Sequence, residues 1–240
     1  LELGQPMHAY DANKLTGNIT VDVSKGGEVL NGLDGAKHTL KENAITINDD
    51  SGVIGLGGIV GGVETSVDEN TTNVFLEAAH FDKVTITLTG QAQQINTDAR
   101  YRFERRVDPA MTRIAIAKAA ELIQQICGGQ VSELTTFGTD EVKPRVIEFD
   151  TTRMLTFAGV DLDTAECIKT LEDLHFVCTK KSDTVYNVTV PSFITIADTD
   201  ADLIEEILRL KSFDIIPVTL PAPSLRKVND WDNITRLDRT

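Results

Sequence analysis

Gly52-Val-Ile-Gly-Leu-Gly-Gly-Ile-Val-Gly-Gly62 sets six glycines among valine, isoleucine and leucine. The branched apolar residues ask for a strand and for burial. Glycine inside a strand marks a bulge, a sharp bend, or the close approach of another backbone or a ligand. The stretch therefore predicts a buried strand that turns tightly and presents backbone N–H groups at the turn. Two readings stay open: a core strand softened by glycine, or a site floored by bare backbone. A phosphate loop fits neither, because no Gly-Lys-Ser/Thr ending follows and the spacing is not that of the dinucleotide fingerprint.

Upstream, Ala44–Ile47 and Val53–Leu56 flank Asp49-Asp50-Ser51-Gly52, which predicts a hairpin. Asn31-Gly32 and Asp34-Gly35 are turn signals. Ile19–Val23 alternates apolar and polar residues and reads as a half-buried strand. Gly4-Gln-Pro-Met-His-Ala-Tyr-Asp11 reads as a loop entering a short helix near Ala12–Leu15. Downstream, Asn73–Ala79 is a strand with Val74, Leu76 and Ala78 on one face and Phe75, Glu77 and Ala79 on the other. Phe81–Ile95 predicts a helix, weakened by the β-branched run Val84–Thr87. A further helix has Asp108 as N-cap and Pro109 at its first position. Its apolar stripe is Met111, Ala115, Ala119, Leu122 and Ile126, and Gly128-Gly129 ends it.

Thr135–Pro144 is polar, with Gly138 and Pro144, and reads as a linker. Beyond it come a strand at Val146–Phe149, a short helix closed by Gly159, and a helix capped by Asp163. Two strands around Lys180–Asp183 and a last helix at Ala201–Lys211 complete a winged-helix-like α/β unit. The fold class is α+β: a β-rich domain over residues 1–141, a small domain over 144–221, and the start of another domain or a tail over 222–240. The opening Leu-Glu-Leu-Gly-Gln-Pro reads as the interior of a longer sequence.

The chain has 240 residues, 41% of them hydrophobic, enough for real cores. Its formal charge of −14 repels phosphate backbones at long range, which disfavours autonomous, tight nucleic-acid binding. Arg100, Arg102, Arg105, Arg106 and Arg113 form a local basic cluster, read as ion pairs with Glu104 and Asp108 or as an RNA-touching patch. Cys127, Cys167 and Cys178 suit neither a zinc site nor a disulfide framework, and so sparse a count fits a reducing cytoplasm. His8, His38, His80 and His175 lack metal-ligand spacing. No apolar run approaches the ~18 residues of a membrane span.

Several ordered motifs resemble the β subunit of bacterial phenylalanyl-tRNA synthetases. They are Gly4-Gln-Pro-Met-His-Ala-Tyr-Asp, Leu33-Asp-Gly, Gly57-Gly-Ile-Val-Gly-Gly, Thr72-Asn-Val-Phe-Leu-Glu-Ala, Thr97-Asp-Ala-Arg-Tyr-Arg-Phe-Glu-Arg, Val107-Asp-Pro and Asp202-Leu-Ile-Glu-Glu-Ile. The resemblance implies a B3/B4 editing module, lacking its N-terminal part, up to about Glu141, and a B5 module from Pro144 to Pro221. It implies hydrolysis of tyrosine wrongly esterified to phenylalanine tRNA, within a ligase that charges that tRNA using ATP and Mg²⁺. It also implies an α subunit in an α2β2 assembly, tRNA as partner, no cofactor in the fragment itself, no membrane, and a cytoplasmic location.

The same resemblance gives the site. From the strand pattern alone Glu77 reads more readily as a surface glutamate; the motif match makes it the acceptor of the tyrosine hydroxyl. His8 would orient a water or the ester carbonyl. Thr97 and Ala99 would line the pocket floor, while Gly58, Gly61 and Gly62 would admit the substrate backbone and offer amides to an oxyanion. Asp202, Glu205 and Glu206 correspond to a magnesium cluster. Two departures stand out. Arg106 occupies a position usually held by glycine, and Ile194 and Ile196 stand where the family has arginine and aspartate, which puts the metal site in doubt. A non-catalytic module that positions tRNA and the α subunit is the alternative function. A third is an amino-acid-binding module without hydrolysis.

Overall fold

The computed structural model describes residues 2–138 and 143–220. The glycine-rich stretch forms one inner strand and one edge strand of a four-stranded sheet of order β2-β5-β6-β7, with β2 at Thr20–Val23, β5 at Ile45–Asp49, β6 at Gly52–Leu56 and β7 at Val60–Gly61. β5 and β6 form the expected hairpin, pairing Asp49 with Gly52. Asp49 makes its turn: Oδ1 accepts from the Ser51 amide at 2.8 Å and Oδ2 from the Thr16 amide at 2.8 Å. Gly57-Gly58 then bends the chain back so that Gly55 pairs with Gly61. Gly58 sits at φ +69°, in the region that favours glycine.

Two further two-stranded pairs accompany this sheet. One joins β3 (Val29–Asn31) to β4 (Lys37–Thr39); the other joins β1 (Met7–Asp11) to β8 (Val74–Ala78), both antiparallel. Three helices follow: α1 (Lys83–Gln93), α2 (Asp98–Phe103) and α3 (Met111–Cys127). α1 forms despite its β-branched run because Asp82 caps it, accepting from the Thr85 amide and hydroxyl at 2.8 Å each. The shared core includes Tyr10, Leu30, Ile54, Ile86 and Phe103.

Four local expectations need correction. Gly4–Asp11 is not loop throughout, since Met7–Asp11 is β1. Ala12–Leu15 is a turn, because Asp11 captures the following amides: its carbonyl accepts from Lys14 N and its Oδ1 from Asn13 N, at 3.0 Å each. β2 is exposed at all four residues rather than half-buried. Regular α3 begins at Met111, and Asp108 closes a turn just before it, accepting from the Ala110 amide at 2.9 Å. Of the stripe expected on α3 only Ala115 is buried, and Ile126 is 81% exposed.

The second unit has its own core, built on Phe149, Leu171, Val188, Leu203 and Ile207. Its sheet has order β10-β11-β9, with β9 at Arg145–Asp150, β10 at Val177–Lys180 and β11 at Val185–Val190. Helices α4 (Arg153–Ala158), α5 (Thr164–Asp173) and α6 (Asp200–Lys211) accompany it. With separate helices and antiparallel sheets the chain is α+β. Of the expected linker, residues 139–142 lie outside the described residues, as does the segment 222–240.

The two units touch. Arg106 donates to the Thr195 carbonyl and to Asp198 Oδ2 at 3.2 Å, and Arg145 donates to Asp198 Oδ1 at 2.7 Å. The Ser192 hydroxyl donates to Asp108 Oδ2 at 3.2 Å.

Candidate functional site

β1 and β8 pair so that His8 lies directly opposite Glu77. Side chains two apart on a strand share a face, so Tyr10 stands beside His8 and diagonal to Glu77. The Tyr10 hydroxyl donates to Glu77 Oε2 at 2.8 Å. The His8 ring meets Tyr10 edge-on, with centroids 4.4 Å apart.

The glycine bend makes room for both rings. A Cβ on Gly61 would lie 2.3 Å from His8 Cε1, and one on Gly55 would lie 3.4 Å from the Tyr10 hydroxyl. Gly58 is crowded from the other side, where its Cβ would come within 2.8 Å of Phe81 and 3.0 Å of Ile86 and Phe103. These pieces enclose a cavity of about 80 Å³ lined by His8, Tyr10, Gly58, Gly61, Glu77 and Ala99, among others.

Gly62 and Thr97 stand behind this cavity. The Gly62 amide is taken by the Ile54 carbonyl at 2.8 Å, and its Cβ would lie 2.7 Å from that same oxygen. Thr97 donates to the Ile59 carbonyl at 2.7 Å and accepts from the Arg100 amide at 3.1 Å, pinning the bend to the start of α2. Tyr10 and Gly55 were not among the sequence candidates. A strand reading of Met7–Asp11 would have put Tyr10 on the face of His8.

Burial dominates the electrostatics. It raises the Glu77 pKa, and the hydrogen bond from Tyr10 opposes that rise only in part. Burial together with the neighbouring Glu77 pushes the Tyr10 phenol well above its ordinary value, so it remains a donor. Burial lowers the His8 pKa, which favours the neutral imidazole near pH 7. His8 Nε2 is buried without a hydrogen-bond partner. The cavity therefore combines a carboxylate able to accept a hydroxyl with a neutral ring whose Nε2 has no hydrogen-bond partner.

The arginine cluster is largely internal. Glu104 pairs with Arg100 at 3.1 Å and with Arg105 at 2.7 Å. Asp108 is bonded to Ser192 and the Ala110 amide instead of to an arginine in this cluster.

The acids of α6 do not suit magnesium. Asp202 Oδ2 is occupied by the Asp198 amide, the Thr199 amide and the Thr199 hydroxyl at 2.9, 2.7 and 2.8 Å, forming a capping box. Glu206 pairs with Arg209, which leaves Glu205, while Ile196 is 67% exposed and offers no oxygen. Among the described residues no group of three or more His, Cys, Asp or Glu side chains is placed to hold a metal ion.

Residues 1–128 match the family model of the B3/4 domain, and residues 147–213 match that of the tRNA synthetase B5 domain. The phenylalanine–tRNA ligase beta subunit of Rhodospirillum rubrum is 41% identical over 227 residues, covering 93% of this chain and 28% of that protein. That of Corynebacterium glutamicum is 38% identical over 231 residues, covering 96% of this chain and 28% of that protein. A solved N-terminal fragment of the phenylalanyl-tRNA synthetase beta subunit from Pyrococcus horikoshii is 16% identical, covers 84% of this chain and 58% of that chain, and has a TM-score of 0.45; the assignment does not rest on it. The chain thus spans a little over a quarter of the length of these two curated relatives. With the B3/4 match extending over more than half of its residues and a B5 match behind it, the chain belongs to the B3/4 domain family and groups with the phenylalanine–tRNA ligase beta subunits.

Proposed function

We propose that this chain is the editing portion of a phenylalanyl-tRNA synthetase beta subunit, and that it hydrolyses tyrosine mistakenly esterified to phenylalanine tRNA. The observation that carries this reading is the placement of Glu77 and His8 opposite each other on one small cavity. Tyrosine exceeds phenylalanine by one hydroxyl, and an apolar pocket rejects so small an addition poorly. A second site that hydrogen-bonds the hydroxyl discriminates better, because phenylalanine leaves its polar group unpaired. Glu77 supplies that acceptor.

Among the described residues neither serine nor cysteine lines the cavity, and water is the nucleophile in this mechanism. The neutral His8 ring holds the water through its unpartnered Nε2 and takes a proton as the water oxygen bonds to the ester carbon. The ester C–O bond then breaks, and the departing ribose oxygen recovers a proton. The products are free tyrosine and uncharged tRNA. Aminoacylation, with its ATP and Mg²⁺, falls to the rest of the enzyme, with an α subunit in an α2β2 assembly in the cytoplasm. No helix among the described residues is long and apolar enough to cross a membrane.

A second reading, a non-catalytic module that positions tRNA and the α subunit, is favoured by cavity size. About 80 Å³ is well below the ~300–1,000 Å³ common for small-molecule sites. Deacylation separates the two. Purified chain mixed with tyrosyl- and phenylalanyl-tRNA(Phe) should release tyrosine well above the protein-free rate and faster than phenylalanine. Release no faster than without protein leaves the scaffold reading standing.

A further inference from the structure

We propose that Tyr10 is a positioning residue for Glu77: its hydroxyl holds Oε2, so that Oε1 alone faces a hydroxyl entering the cavity. This rests on the editing role proposed above for Glu77.

The carboxylate torsion of glutamate is broad and roughly two-fold, so an untethered Glu77 would offer either oxygen over a range of directions. Tyr10 removes that freedom with a hydrogen bond of 2.8 Å. Its own position is fixed on every side. The residue is 1% exposed, its ring packs edge-on against His8, and Phe75 lies 6.0 Å away. Gly55 leaves open the space where the hydroxyl sits. A recognition group is only as selective as the shell that holds it, and here that shell is a resident phenol. With Oε2 occupied, the carboxylate has one side left for an incoming phenol. A phenylalanyl ester would leave that side unpaired.

Few titratable groups face Glu77. β1 brings His8 and Tyr10, and among the described residues no further ionisable side chain lines the cavity. α3 packs against β8 but keeps Arg113, Lys118 and Glu121 at exposed positions.

Tyr10→Phe removes one oxygen and tests the contact. Two readouts are measured on the whole chain: the Glu77 titration midpoint, followed by NMR on carboxyl-labelled protein, and the deacylation rates for tyrosyl- and phenylalanyl-tRNA(Phe). In the variant the Glu77 midpoint should move upward, and the preference for tyrosine should fall about tenfold, roughly the value of one charge-assisted hydrogen bond. The fall should lie in KM for the tyrosyl ester more than in kcat. A double-mutant cycle with Glu77→Gln isolates the coupling: in that background Tyr10→Phe should change the preference by less than twofold. An unmoved midpoint with preference retained within twofold overturns the role of Tyr10 and leaves the editing reading intact. An equal loss in both backgrounds also overturns it, because Tyr10 would then act on folding or packing instead of through Glu77. If the unmodified chain shows no tyrosine-selective hydrolysis, the editing reading fails, and the positioning role falls with it.

Discussion

Glu77 is a residue kept at a cost. Burial makes its charged form unfavourable, so its folded pKa lies above the ~4.3 of an unfolded glutamate. The folded state then holds the proton more tightly than the unfolded state does. Stability is highest below the ordinary carboxylate range and falls as pH rises through the folded value. Glu77→Gln removes the titration while keeping a polar side chain of nearly the same shape. At pH 7 it should raise Tm by about 2–4 °C, the shift that 1 kcal/mol makes in a chain of this size. The gain should shrink toward pH 4, and tyrosine selectivity should be lost, the usual trade between stability and a strained site. Matching thermal melts of the two proteins at pH 7 would show that the buried carboxylate carries no such cost. Much of this was legible. The alternation of Val74–Ala78 puts Glu77 on a defined face, and the family motif marks it and His8 as a pair. Tyr10 stayed hidden because proline and polar residues around it suggested a loop. The pairing that makes it a strand comes from β8, more than sixty residues away.

At the level of elements, the glycine bend was readable as a buried strand with a sharp turn, but the task of each glycine was not. Each task depends on atoms from elsewhere: β1 over Gly55 and Gly61, and Phe81, α1 and α2 over Gly58. Gly61 and Gly58 should therefore respond differently to alanine. Gly61→Ala meets the far edge of a side chain, which can swing away. Hydrolysis should fall at least tenfold while urea unfolding shifts by less than about 1 kcal/mol, within the usual range for well-tolerated changes. Gly58→Ala meets Phe81, Ile86 and Phe103 within the core, at a left-handed φ of +69°. Conformational strain of roughly 1–2 kcal/mol adds to overpacking of roughly 1–3 kcal/mol, so this variant should lose about 2–5 kcal/mol. Paired denaturation curves and deacylation rates check both, and similar stability losses would erase the distinction. α3 shows the opposite kind of illegibility. Its apolar stripe is regular in sequence, yet periodicity gives a face without saying what covers it. Ile126 and Leu122 remain exposed among the described residues.

At the level of the whole molecule, the departures from the family pattern converge on one place. The resemblance puts glycine where Arg106 stands, and Arg106 has a φ of +68°, in the region that favours glycine. The arginine keeps that strained backbone and adds contacts no glycine has, to the Thr195 carbonyl and to Asp198 in the second unit. Arg145 shares Asp198 and also reaches the Ile194 carbonyl, in the segment where the family's aspartate is lost. Asp198 is held below the usual carboxylate range chiefly by its bond to Arg145; burial opposes that, and the bond to Arg106 adds to the lowering. Two arginines thus reach the stretch ahead of α6 and meet Asp198 there. The strain and the contact can be separated by two substitutions. Arg106→Ala discards the guanidinium and keeps the left-handed backbone. Arg106→Gly discards the guanidinium and relieves the backbone. Glycine should therefore be more stable than alanine by about 1 kcal/mol, the smaller end of the left-handed penalty for a residue with a Cβ. Both remove the contacts that Arg106 makes to the second unit, so the calorimetric transition should broaden or divide for either variant relative to the parent. Equal melting of the alanine and glycine variants would mean that position 106 is unstrained, and that the arginine is held there by its contacts alone.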